Sequence, residues 1–145
     1  MTKRVKIEIP AGEPVGKVIL PVRIGDINYG GHLGNDKLLL YAHEARVQVL
    51  QTMGFTEFDC GGHGLIMADA EIAFRAEAFW GEVLELTLFA GGATGSSFSL
   101  YYLFEKEDAG GKVVVAQART GMVAFDYNSR KVVVLSKKIV AALSL

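Results

Sequence analysis

One stretch of helical period followed by several of period two restricts this chain more than any other feature of its sequence. From Asp36 to Met53, apolar residues recur at Leu38, Ala42, Ala45, Val49 and Met53, with Leu39 alongside, the spacing that lines one face of an α-helix. Asn35 or Asp36 is placed to cap the first turn, and Gly54 to end the last. Beyond Gly54 the period shortens. Ile66, Ala68, Ala70, Ile72 and Phe74 fall on one face of an extended segment, with Met67, Asp69, Glu71, Ala73 and Arg75 on the other. Leu84, Leu86 and Leu88 repeat the pattern after Trp80-Gly81, as do Phe98, Leu100, Tyr102 and Phe104 after the turn at Gly91 to Gly95. A last long strand runs from about Lys112 to Phe125, which makes an antiparallel meander. Ahead of the helix, Lys3 to Ile9 and Lys17 to Ile24 read as strands around a turn at Pro10 to Gly16. Tyr127 to Arg130 reads as a turn, and Lys131 to Leu145 as a short strand and a weak terminal helix, with Lys137-Lys138 as solvated surface. One long helix among antiparallel strands demands an α+β arrangement in which the sheet covers the helix. The small side chains of Ala42 and Ala45 permit a close approach.

At 145 residues, half of them hydrophobic, the chain has the length of one domain with a real core. A net charge of -1 with interspersed signs argues against a nucleic-acid partner, since phosphate-backbone binding draws on an excess of positive charge. No apolar run approaches the roughly 20 residues of a membrane-spanning helix, and the alternating start MTKRVKIEIPAG lacks the apolar stretch of a signal peptide. The lone cysteine, Cys60, has no disulfide or CxxC partner and reads as a small packed thiol. These features together lead to the expectation of a cytoplasmic protein.

The loop before the helix gathers the unusual residues: Asp26, Asn28, His32, and the glycines Gly25, Gly30, Gly31 and Gly34. Glycines let a backbone approach a ligand closely, and the start of a helix offers unpaired N–H groups and a positive dipole end. Such a loop fits the oxyanion that develops when water attacks a carbonyl. It also fits an ordinary connection.

The stretch VRIGDINYGGHLGNDKLLLYAHEAR, Val22 to Arg46, resembles the signature of 4-hydroxybenzoyl-CoA-thioesterase-like hotdog proteins, in which a pattern close to GDxDxxGHxNN runs into a helix bearing YxxEAR. Gly25, Asp26, Gly31, His32, Asn35, Tyr41, Glu44, Ala45 and Arg46 fall on matching positions. GLIMADAEIAFRAEAFWGEVLEL, Gly64 to Leu86, is similar to that family's following strands. The resemblance implies a single hotdog domain over residues 1–145, with a curved antiparallel sheet wrapped around one long central helix. It further implies a homodimer joined edge to edge, a tetramer remaining open, with active sites at the dimer interface. The implied substrate is an acyl-CoA or acyl-carrier thioester, with coenzyme A as part of the substrate, no resident cofactor and no metal. Asn35 takes the position of the backbone amide that polarises the thioester carbonyl, and Gly31, Gly34 and Tyr41 are further substrate-binding candidates.

Asn28 stands where the family has its catalytic acid. A carboxamide neither accepts a proton nor attacks an acyl carbon well at neutral pH, so Asn28 is left to orient water or thioester, with His32, Glu44 and Asp26 as candidate bases. Imidazole suits base work near neutrality. Each has a plainer reading: Asp26 as a loop cap, Glu44 as the partner of a nearby arginine, His32 as a structural histidine. His43 reads as surface, His63 as a turn residue, and Phe79-Trp80 as sheet packing. Acyl-CoA hydrolysis by a bound water is the leading expectation. A hotdog hydratase or dehydratase is an alternative, since Asp26 and Asn28 keep the DxN spacing of DxNPxH, although the proline is missing and His32 lies one position too far. A non-catalytic acyl-thioester binding module is the third.

Overall fold

The computed structural model describes residues 2–145. Its long helix α1, Lys37–Thr52, lies where the period placed it. Met53, Gly54 and Phe55 donate their N–H groups to Leu50, Gln51 and Leu50 in turn, and Gly54 takes φ +82, a left-handed exit that glycine adopts without strain. The start differs from expectation. Asp36 is the N-terminal residue, but its carboxylate makes no capping hydrogen bond; it turns to Lys37 at 3.8 Å instead. The Lys37 N–H is met instead by the Gly34 carbonyl at 2.9 Å.

The strands are β1 (Gly16–Pro21), β2 (Gly64–Phe74), β3 (Val83–Gly91), β4 (Ser97–Asp108), β5 (Gly111–Asp126) and the short β6 (Lys131–Val132). They form one antiparallel sheet in the order β1-β3-β4-β5-β2, with β6 on the end of β5. Two expectations are corrected here. Only β3, β4 and β5 form a meander, because β2 crosses to the far edge and pairs with β5. The opening hairpin does not form: β1 pairs with β3, while Lys3 to Glu8 carries no ladder and borders a surface hollow with Glu71, Tyr101 and Arg119.

The face that packs on α1 is apolar. Leu84, Leu86, Leu88, Phe98, Leu100, Tyr102, Phe104, Ala116, Ala118, Met122 and Ala124 are buried with Ala42, Ala45 and Val49. Burying such a leucine stabilises the fold by roughly 2 kcal/mol. Ala42 and Ala45 are wholly enclosed, as close approach requires. A Cβ on Gly16 would come within 2.6 Å of Val49, so β1 can lie against the helix only with glycine there.

The facing of β2 also departs from expectation. Its register with β5 slips between Met67 and Asp69, so one extra residue, Ala68, is inserted as a bulge and the alternation inverts. Leu65 and Met67 therefore share the inner face with Ala70, Ile72 and Phe74, and Ile66 does not. The C-terminal helix α2, Lys137–Ala142, is capped by Ser136, whose hydroxyl accepts from the Ile139 N–H. Leu135, Ile139 and Leu143 complete one end of the core, and Lys137 and Lys138 are exposed.

Candidate active site

Residues 24–36 form a compact loop. A short 3-10 turn, Ile24–Asp26, opens it, Ile27 bridges Leu33, and the Asn28 N–H donates to the His32 carbonyl. The Asn28 side-chain oxygen accepts from the Gly30 N–H at 2.9 Å, an Asx turn that holds the tip. Gly31, at φ +83, reverses the chain. Leu33 donates to Ala78 O at 2.7 Å and Gly34 to Asp26 O, so the loop is tied to the segment after β2. A Cβ on Gly34 would meet Asp36 Oδ1 at 2.6 Å, so a larger residue there would displace the exposed Asp36 carboxylate.

His32 and Asn35 line one cavity of about 280 Å³ with Leu38, Phe74, Arg75, Glu77, Ala78 and Val115. The imidazole is oriented by its neighbour: Nδ1 lies 3.0 Å from the Leu33 carbonyl. A carbonyl can only accept, so Nδ1 carries the proton and Nε2 keeps its lone pair in the neutral ring. Glu77 Oε1 lies 3.9 Å from Nε2, close enough to stabilise the imidazolium once formed. Nε2 and Asn28 Oδ1 also stand within 3.3 Å of the point a Gly30 Cβ would occupy. Among the described residues, neither the Asn35 nor the Asp36 N–H donates a hydrogen bond within the chain. Asn35, with its N–H free, and an imidazole with a free lone pair thus border the same hollow.

The other sequence candidates, Asp26, Asn28, Gly31, Gly34, Tyr41 and Glu44, do not line this cavity. Tyr41 is buried; its hydroxyl donates to Asp26 Oδ2 at 2.7 Å and accepts from the Arg23 N–H at 3.1 Å. Burial, the largest influence, raises the phenol above its ordinary value, the Arg23 amide opposes this, and Asp26 adds to it. Tyr41 and Asp26 are therefore braces of the loop. Glu44 pairs with Arg23 at 3.9 Å, the plainer of its two readings.

Outside the motif, His43 is half exposed and 3.7 Å from Glu57. His63 is buried, with Nδ1 donating to Gly64 O and Nε2 accepting the Ser136 N–H. Burial pushes the Cys60 thiol up to about 12, which leaves too little thiolate for nucleophilic work. Phe79 and Trp80 do not pack the sheet: they are 42% and 64% exposed, with Lys106 Nζ over the Phe79 ring. Arg75 and Glu77 escaped the sequence reading. The signal was present, since they are the charged positions of the otherwise apolar AFRAEAFW, but only the pairing of β2 with β5 brings them to His32.

Residues 22–143 match the sequence profile described as the Thioesterase-like superfamily. The chain belongs to the thioesterase-like superfamily. That membership bears out the expectation of a thioester hydrolase with an α+β hotdog fold. No curated protein matches this thioesterase-like chain. Among solved structures it is similar to a 4-hydroxybenzoyl-CoA thioesterase, an aspartate-to-asparagine variant complexed with 4-hydroxybenzoyl-CoA. The identity is 13%, the TM-score 0.79, and the match covers 88% of this chain and 96% of that one. A 1,4-dihydroxy-2-naphthoyl-CoA thioesterase from Synechocystis is 22% identical with TM-score 0.77, covering 88% and 94% of the two chains. A hypothetical protein from Aquifex aeolicus is 22% identical with TM-score 0.78, covering 88% and 98%. At these identities the likeness is one of fold. Among the described residues, no helix is long and apolar enough to cross a membrane.

Proposed function

We propose that this chain hydrolyses acyl-CoA thioesters with a water activated by His32. The observation that carries the reading is the shared cavity of His32, its Nε2 lone pair free, and the open N–H of Asn35. Water adds to the thioester carbon while His32 Nε2 takes its proton, and Glu77 steadies the resulting imidazolium. The negative charge gathered on the carbonyl oxygen is met by the Asn35 amide at the positive end of α1. Collapse breaks the carbon–sulfur bond, and the departing thiolate takes the proton back from His32. Asn28 holds the tip of the loop that carries His32, its side-chain oxygen accepting from the Gly30 N–H. No resident cofactor or metal takes part in this scheme; coenzyme A belongs to the substrate.

The reading includes a homodimer joined at the β2 edges in a cytoplasmic setting. β2 is an edge strand of 11 residues; Met67 is 46% and Phe74 50% exposed, and Phe74 lines the His32 cavity. A second copy on this edge would satisfy its open backbone groups and wall the cavity. Steady-state hydrolysis of an acyl-CoA panel, read by release of free thiol, tests the function. Turnover that is lost in His32→Gln supports it, and absence of turnover with every acyl group overturns it. Non-catalytic thioester binding is the second reading, favoured by the occupation of Asn28 Oδ1 in capping Gly30; binding without turnover would select it.

A further inference from the structure

Arg75 is the cation of the candidate site that has no anion. Arg23, Arg46 and Arg119 each face a carboxylate, from Glu44, from Glu57, and from Asp69 and Glu71 respectively, and Arg130 lies over the Phe125 ring. Arg75 has no carboxylate within ion-pair distance among the described residues, although it lines the cavity of His32 and Asn35. Glu77, the carboxylate in the same wall, is turned to His32 Nε2.

The root of Arg75 is fixed. Just past the end of β2, the N–H groups of both Arg75 and Ala76 donate to Val115 O, at 2.8 and 3.1 Å. Val115 is the extra residue where the β4–β5 register slips beside Phe104 and Glu105, and bulges often re-aim a side chain beside a site. The remaining wall is apolar, from Leu38, Phe74, Ala78 and Val115. A planar guanidinium suits a carboxylate, which it can hold by two parallel hydrogen bonds.

We propose that the cavity selects a short acyl group carrying its own carboxylate, the monothioester of a dicarboxylic acid, and that Arg75 is the residue that reads it. This rests on the thioesterase reading above. Leu38, Phe74 and Val115 take the methylene chain, and the reacting carbonyl lies at the Asn35 amide. The far carboxylate meets Arg75, and Glu77 remains committed to His32.

The experiment compares glutaryl-CoA with pentanoyl-CoA and adipoyl-CoA with hexanoyl-CoA, pairs matched in chain length, with spontaneous hydrolysis subtracted. kcat/KM is expected to favour the carboxylate member of each pair by about tenfold or more, one decade corresponding to 1.4 kcal/mol. That ratio is expected to collapse in Arg75→Gln, to survive in part in Arg75→Lys, and to invert in Arg75→Glu. Hydrolysis of all four esters without preference, or a preference unchanged in Arg75→Gln, overturns the assignment and leaves the thioesterase reading standing. Absence of turnover with every ester overturns the thioesterase reading instead. The same preference is then read from Kd by calorimetry, where equal affinities within each pair overturn the role of Arg75 as well.

Discussion

At His32 the chemistry depends on which ring nitrogen holds the proton. The Leu33 carbonyl fixes it on Nδ1, so Nε2 is the atom that accepts from water. kcat is expected to fall by about 10²-fold or more in His32→Gln, read by thiol release under saturating acyl-CoA. Asn28→Asp keeps an oxygen to accept from Gly30 and adds a carboxylate near Nε2. It is expected to raise kcat and to let an Asn28→Asp/His32→Gln double variant keep measurable turnover; a double variant as inactive as His32→Gln would remove Asn28 from the reacting centre. Tyr41→Phe removes the hydroxyl between Asp26 and the Arg23 amide. It is expected to cost about 1 kcal/mol in urea unfolding, the net worth of a typical hydrogen bond, with a smaller effect on KM than His32→Gln has on kcat. The motif made His32 and Asn35 legible as neighbours because they lie close together in one loop. It could not show that Asp26 and Tyr41 spend their polar atoms on each other, since a match of residue types is silent about which partner each atom finds.

Among the elements, α1 and the inner faces of β3 and β4 were legible from sequence because period and burial coincide in them, and β5 was legible as a strand. β2 was not, for two physical reasons. The bulge at Ala68 inverts the alternation that a strict period assumes, and the choice of β5 over β3 as its partner depends on the whole sheet. Arg75 and Glu77 were missed with it. The polar contents of the core were equally hidden. Arg46, on α1, donates to Glu57 and to the buried Tyr102 hydroxyl, which in turn bonds Thr120 on β5. Arg46→Ala is expected to cost about 3 kcal/mol in urea unfolding, since removing one member strands the others in the interior. β1 has a lighter tie. Hydrogen bonds from Lys17 and Lys112 hold the Glu85 carboxyl below its usual range. A folded value lower than the unfolded one gives stability that is present above the unfolded value and lost as pH falls through the folded one. Wild-type stability is therefore expected to fall more steeply with acid than that of Glu85→Gln, in urea titrations run from neutral pH down into the carboxylate range.

For the whole molecule, β2 is the long edge of the sheet. Met67→Lys places a charge on the inner face of that edge, which discourages strand addition. On the proposed β2-edge dimer it is expected to shift light-scattering mass from dimer to monomer and to lower activity with it; a wild-type monomer, or a dimer unchanged by the substitution, would overturn that interface. The sheet order carries a different consequence. β1 waits for β3, β2 waits for β5, and one end of the core is closed only by Leu135, Ile139 and Leu143. Beside the local β3-β4-β5 meander, these pairings join segments far apart in the chain, and non-local pairings are slow to form. On the ribosome, a nascent chain that has emerged only as far as β4 still shows an unpaired β2 and an apolar sheet face. Its exposure to chaperones and to misassembly should therefore persist until the last helix is free to dock.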